Sequence, residues 1–96
     1  MDNTRLIILY DYYSELLTEQ QKEYFEDYYF SNLSLSEIAE NNNVSRNAVH
    51  NMIKSTTEKL EKYEDKLKIY EKNKKVEKLL EGNELKEKIM NVLEGE

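Results

Sequence analysis

Five side chains between positions 46 and 54 carry the chemistry most readily seen in this sequence. Arg46, Asn47, His50, Asn51 and Lys54 recur at three and four residues, the spacing that gathers side chains on one side of a helix. An asparagine amide can pair bidentately with adenine and a guanidinium with guanine, while cations neutralise phosphates. The plainer alternative is a solvated polar face, which any surface helix displays. Phosphate contacts supply most of the affinity of a groove reader, and two cations are a sparse supply. Glu37, Glu40 and Glu58 would also stand near a docked duplex and oppose it.

A second candidate is the run KLKIYEKNKKVEK at 66–78, with six lysines against two glutamates. Lys72, Lys74, Lys75 and Lys78 are the best polyanion contacts that the chain offers. Here too the alternative is an ordinary mixed-charge face. Glu64 precedes Lys68 by four and Glu71 precedes Lys75 by four, both favourable pairs within a helix. Covalent and metal chemistry lack their parts. There is no cysteine, and His50 is the single histidine, so thiolate sites are excluded and a histidine-based metal site has no second ligand. No glycine-rich phosphate loop is present. The carboxylates fall at helix-surface spacings. The sequence therefore predicts a binding protein without catalytic residues, metal or cofactor.

The elements that hold these residues are helical. Proline is absent, only two glycines occur, and 35% of the 96 residues are charged, which predicts an all-α fold. Leu6, Leu9, Tyr10, Tyr13, Leu16 and Leu17 form one apolar stripe and predict a first helix over 4–16. Thr18 with Gln21 three residues on gives the capping-box spacing for a second helix, with Tyr24, Phe25, Tyr28 and Tyr29 facing inward. Ser34 and Glu37 repeat that spacing before a short third helix over 35–41, and Leu33 with Ile38 forms its hydrophobic staple. Ser45 caps a fourth helix, with Val44 and Val49 as staple. Between the two lies a turn at Asn42 and Asn43, and Asn tolerates the left-handed backbone that a tight reversal needs. Ala39 is the small residue at the crossing, Asn43 takes the position usually held by glycine, and Ile38, Val44, Val49 and Ile53 form the wedge. Together these predict a helix-turn-helix.

The fourth helix has no breaker from 45 to 81. Val49, Ile53, Leu60, Tyr63, Leu67 and Tyr70 fit a heptad in which Thr56 is the polar exception, and the register fails at Lys74, which predicts a break near 72–75. The expected organisation is a helix-turn-helix domain at 1–72 with a long fourth helix, followed by a helical extension at 73–96. In the extension Gly82 and Asn83 end one helix and cap another, whose apolar face is Leu85, Ile89, Val92 and Leu93. Tyr63 and Tyr70 project from the long helix. They meet either helices of the same chain or a second copy in a homodimer.

Charge is segregated. Residues 1–44 hold two basic against nine acidic groups, 45–78 ten against six, and 79–96 two against five. An acidic chain is a poor non-specific polyanion binder, so phosphate contacts must fall in the middle segment. The longest wholly apolar run is LIILY at 6–10, far short of a membrane span. MDNTRL lacks the layout of a secretory signal. A cytoplasmic protein with no membrane insertion is expected.

The elements LTEQQ, YYF, LSLSEIAE and VSRNAV, in that order, resemble the fourth conserved region of bacterial sigma factors, which binds promoter DNA. Those factors carry an arginine-bearing helix end, where this chain has STTEKLEKYEDKL. The run from LYDYYSELL through NMIKSTTEKLEKYEDKLKIYEK is similar to the YlxM family of small bacterial proteins, along roughly residues 6–72. Ser45, Arg46, Ala48 and Val49 match that family's second-helix pattern, and Asn42 departs from it where an apolar residue is usual. The resemblance implies a sigma-like helix-turn-helix with a long C-terminal helix. It also implies a regulatory role in the signal recognition particle pathway, through binding of the particle's protein or RNA. Two other functions stay open. A transcription regulator would read bases with Arg46, Asn47, His50 and Asn51, a dimer setting two such helices one DNA turn apart. A scaffold would dimerise through the long helix.

Overall fold

Three polar side chains fix where three of the helices begin. In the computed structural model, which describes residues 3–80 and 91–94, Thr18 starts α2 (Glu19–Tyr29), Ser34 starts α3 (Leu35–Asn42) and Ser45 starts α4 (Arg46–Leu67). The Thr18 hydroxyl accepts the Gln21 N–H at 3.1 Å, and the Gln21 carboxamide accepts the Thr18 N–H at 2.9 Å. Ser34 and Glu37 make the same reciprocal pair, both bonds at 3.0 Å. Ser45 accepts from the Ala48 N–H at 3.0 Å. Each cap satisfies an N–H that the helix itself cannot, worth about 1 kcal/mol. α1 (Thr4–Tyr13) has no side-chain cap and tightens into a 3₁₀ turn at Ser14–Leu16. The helix expected over 4–16 is thus present, with its last turn overwound. No strand occurs among the described residues, and no helix there is long and apolar enough to cross a membrane.

α4 is the spine, with α1, α2 and α3 all packed on it. One core cluster joins Leu9, Tyr10, Tyr13 and Leu17 to Phe25 and Leu60. The other joins Tyr24, Ile38 and Ala39 to Val49 and Ile53. Tyr29 packs against both. The first cluster is largely aromatic: Tyr10 stacks on Phe25 with ring centroids 4.4 Å apart and planes 4° from parallel. Such pairs contribute about 0.5–1.5 kcal/mol beyond area burial. The Tyr10 hydroxyl is received by Glu26. Thr56, the polar member of the heptad, is fully buried and donates its hydroxyl to the Met52 carbonyl at 2.7 Å. Arg5 and Glu61 join α1 to α4 by a two-pronged pair, 2.9 Å on each prong. Both partners are half exposed, so the pair fixes orientation more than it adds stability.

The long helix ends earlier than its register predicts. It stops at Leu67, Lys68 turns into the left-handed region (φ 54°, ψ 32°), and α5 (Ile69–Leu79) follows. The cause is a buried carboxylate. Glu64 receives the Tyr13 hydroxyl at 2.6 Å and the N–H groups of Tyr70 and Glu71, each at 3.1 Å. The Ile69 N–H donates to the Tyr13 oxygen at 3.1 Å. Three of the first N–H groups of α5 are thereby satisfied, which offsets the roughly 1–3 kcal/mol of a left-handed lysine. No breaker residue announces this, and the lost register at Lys74 lies inside α5. Leu67, expected in the seam, is 44% exposed. The two seam tyrosines are met by the same chain: Tyr63 donates to the Leu16 carbonyl at 3.3 Å and Tyr70 lies beside Tyr12, whose hydroxyl also accepts from the Asn73 amide at 3.0 Å. The helix stop and cap expected at Gly82 and Asn83, with Leu85 and Ile89, lie outside the described residues. Val92 and Leu93 are exposed.

Two outcomes follow for stability. Glu64→Ala leaves a buried hydroxyl and two N–H groups without their acceptor, at a cost of about 3 kcal/mol in urea unfolding; a loss under about 0.5 kcal/mol would contradict the role given to Glu64. Burial, reinforced by Glu64, pushes the Tyr13 hydroxyl from 10.0 up to about 12. Burial and Glu26 raise Tyr10 as well. The folded state therefore holds these protons more tightly than the unfolded chain. The Tyr13 contribution is full below pH 10 and is lost as pH rises through about 12, and that of Tyr10 persists at least as far. Tyrosinate absorbance and helicity followed through that range should change together, and Tyr13→Phe should remove part of the alkaline dependence.

Candidate functional site

The turn between α3 and α4 is closed by backbone bonds of the Schellman type. Asn43 sits in the left-handed region (φ 55°, ψ 43°). Its N–H reaches the Glu40 carbonyl at 3.3 Å, and the Val44 N–H reaches that of Ala39 at 3.0 Å. The Asn42 amide donates to the Ile38 carbonyl at 2.8 Å, so the polar residue at this position is used locally. Ile38, Val49 and Ile53 form the expected wedge over buried Ala39. Val44 does not join that buried cluster: it is 41% exposed. Leu33 and Ile38, the staple expected for α3, lie in one cluster.

This turn presents the first turns of α4 outward. Arg46, Asn47, His50, Asn51 and Lys54 are all exposed. Among the described residues, none of these five side chains is occupied by an intramolecular hydrogen bond or ion pair. The structure does not spread them evenly. His50 and Lys54 line a hollow of about 200 Å³ facing α2, whose deeper wall is Tyr29, Leu35 and Ile53. Tyr28 and Thr57 complete it. Arg46, Asn47 and Asn51 lie outside that hollow. Of the acids expected to oppose docking, Glu37, Glu40 and Glu58 are all exposed. The Glu37 carboxylate is engaged with the backbone and side chain of Ser34, which hold its carboxyl below the usual carboxylate range.

Lys72, Lys74, Lys75 and Lys78 sit elsewhere. All four are exposed on α5, beyond the far end of a 22-residue α4 that spans roughly 33 Å. Lys75 pairs with Glu71 at 3.3 Å, and Lys74 lies 5.8 Å from the centre of the Tyr70 ring. The two sets of cations expected from sequence are thus two separate surfaces.

The chain matches, over residues 1–94, the family described as "Putative helix-turn-helix protein, YlxM / p13 like" (UPF0122). The chain belongs to this family. A UPF0122 protein of Malacoplasma penetrans is 45% identical over 93 residues, covering 94% of this chain and 87% of that protein. One of Fusobacterium nucleatum is 54% identical over 72 residues, 75% of this chain and 70% of the relative. One of Oceanobacillus iheyensis is 50% identical over 78 residues, 81% and 74%. The resemblance to YlxM proteins and the all-α helix-turn-helix architecture are therefore established for this UPF0122 chain.

Within the UPF0122 domain, Tyr28 joins Val44 and Leu67 as a residue whose burial the sequence does not predict. It was expected on the inward stripe of α2, yet 36% of it is exposed beside His50 and Lys54. Its neighbour Tyr29 takes the place against both core clusters, an outcome of how the helices pack that spacing alone does not decide. The turn geometry has its own test. Asn43→Val, a β-branched residue forced into the left-handed region, should destabilise by about 1–2 kcal/mol, while Asn43→Gly should melt within a few degrees of the parent. Equal melting temperatures for the valine and glycine variants would contradict the turn.

Proposed function

We propose that this UPF0122 protein is an accessory factor of the signal recognition particle pathway that binds the particle's RNA through the outward face of α4. The observation that carries the binding reading is the set of five exposed side chains on α4, two cationic and two carboxamide among them, none of them engaged within the described fold. A rigid turn and three capped helices hold that face in place, as recognition by a fixed surface requires. The particle enters through the family resemblance, and RNA rather than the particle's protein through the cation and amide chemistry of the face. The lysines of α5 offer a second, distant contact for an extended polyanion.

A second reading is recognition of duplex DNA bases, favoured by Arg46, Asn47 and Asn51 near the start of the second helix of the unit, the place from which such helices read the major groove.

Titration of particle RNA, particle protein and genomic duplex across a salt series separates these readings. RNA binding should weaken linearly on a log–log scale, with a slope of roughly −0.7 to −0.9 for each phosphate neutralised. Arg46→Ala with Lys54→Ala should reduce that slope by about 1.5. No association with particle RNA at micromolar concentration in low salt would overturn the first reading. Enrichment of a motif from a random duplex library would favour the second.

A further inference from the structure

The aromatic doublet at the end of α2 divides its labour. Tyr29 belongs to both core clusters, whereas Tyr28 stands at the surface. The two rings meet edge to face at 5.0 Å, with planes 87° apart, so the packed ring fixes the attitude of the exposed one. Tyr28 lines two hollows. One, of about 200 Å³, has His50 and Lys54 of α4 in its wall. The other, of about 260 Å³, is lined by Asn3, Asn32 and Leu33 together with the two tyrosines. No carboxylate lines either one. That is notable in a chain whose first 44 residues hold nine acidic groups against two basic ones. An exposed ring that lines two hollows, with Lys54 and His50 in the wall of one, amides in the wall of the other and no acid lining either, suits a planar ligand attached to a phosphate.

We propose that Tyr28 and its two flanking hollows form a subsite for an unpaired nucleotide. The base stacks on the Tyr28 ring, Lys54 and His50 meet the adjoining phosphates, and the amides of Asn3 and Asn32 face the base edge or sugar. Stacking on aromatic side chains accepts any base, because every base has a π face. Recognition of RNA generally works on unstacked loop and bulge bases rather than on paired ones. The subsite rests on the nucleic-acid reading of the α4 face and narrows it: the preferred ligand carries at least one base outside a duplex stack. A fully paired duplex offers no free base face and would leave Tyr28 unused.

The test compares three probes by fluorescence anisotropy at one low salt concentration. They are a fully paired RNA hairpin, the same hairpin with one bulged adenosine, and a single-stranded hexanucleotide in RNA and DNA forms. The bulged hairpin should bind at least roughly ten-fold more tightly than the paired one. Tyr28→Ala should remove that advantage, lowering affinity for the bulged probe by roughly ten-fold or more while leaving the paired probe within two-fold. Tyr28→Phe should retain it, and unchanged helicity will show that the alanine variant is folded. The aromatic protons of Tyr28 should shift on addition of either hexanucleotide. Equal affinity for the RNA and DNA forms supports recognition of base and phosphate alone, and preference for RNA supports added contact with the 2′-hydroxyl. If the bulge confers no advantage, or if Tyr28→Ala keeps it, the subsite is overturned. When paired RNA still binds and depends on Arg46 and Lys54, only the subsite falls. When no nucleic acid binds, including the case where a protein alone binds, both readings fall.

Discussion

One helix must satisfy two cores. The inward edge of α4 supplies Val49 and Ile53 to the cluster made with α2 and α3, and Leu60 to the cluster made with α1 and α2. Because its apolar stripe is shared in this way, α4 has little freedom to rotate: turning it to suit one cluster would pull its side chains from the other. Its outward residues are consequently set by burial on its opposite side. The polar face that begins at Arg46 is a by-product of where Val49 and Ile53 have to go. Tyr29, touching both clusters, ties α2 to the same constraint, and with it the position of the neighbouring Tyr28.

Most of this was legible residue by residue where a side chain has a strong local preference. Thr18, Ser34 and Ser45 announce helix starts because a short oxygen-bearing side chain satisfies an otherwise stranded N–H. Asn43 announces the reversal because asparagine accepts a positive φ. Legibility fails where the determinant is tertiary. Nothing in Lys68 forecasts a left-handed joint. The joint exists because Glu64 and Tyr13, 51 residues apart in sequence, meet in the interior and present acceptors to the start of α5. Val44 looked like a core residue from its type and its place before the Ser45 cap, yet it is exposed. The face residues on α4 were identifiable by spacing, whereas their neighbours from α2 were not, since that contact depends on how two helices cross.

Charge adds a second organising layer. The acidic excess of the first 44 residues and the basic excess of 45–78 correspond to different surfaces of the fold. The N-terminal acids are distributed mainly over α1, α2 and α3, while most of the cations belong to α4 and α5, with Arg5 and Lys22 the two exceptions. The two basic surfaces lie near opposite ends of α4, so a ligand touching both must be long, and a short one must choose.

The joint at α1 also bears on the order in which the chain assembles. The α2–α3–α4 unit is built mainly from neighbours in sequence. α1, by contrast, is fastened by Arg5–Glu61, Tyr13–Glu64 and Tyr12–Asn73, which close spans of 56, 51 and 61 residues. Closing long loops carries an entropic cost that local contacts avoid. The helix-turn-helix can therefore take shape while α1 is still undocked, so that an early stretch of the chain is among the last to find its place.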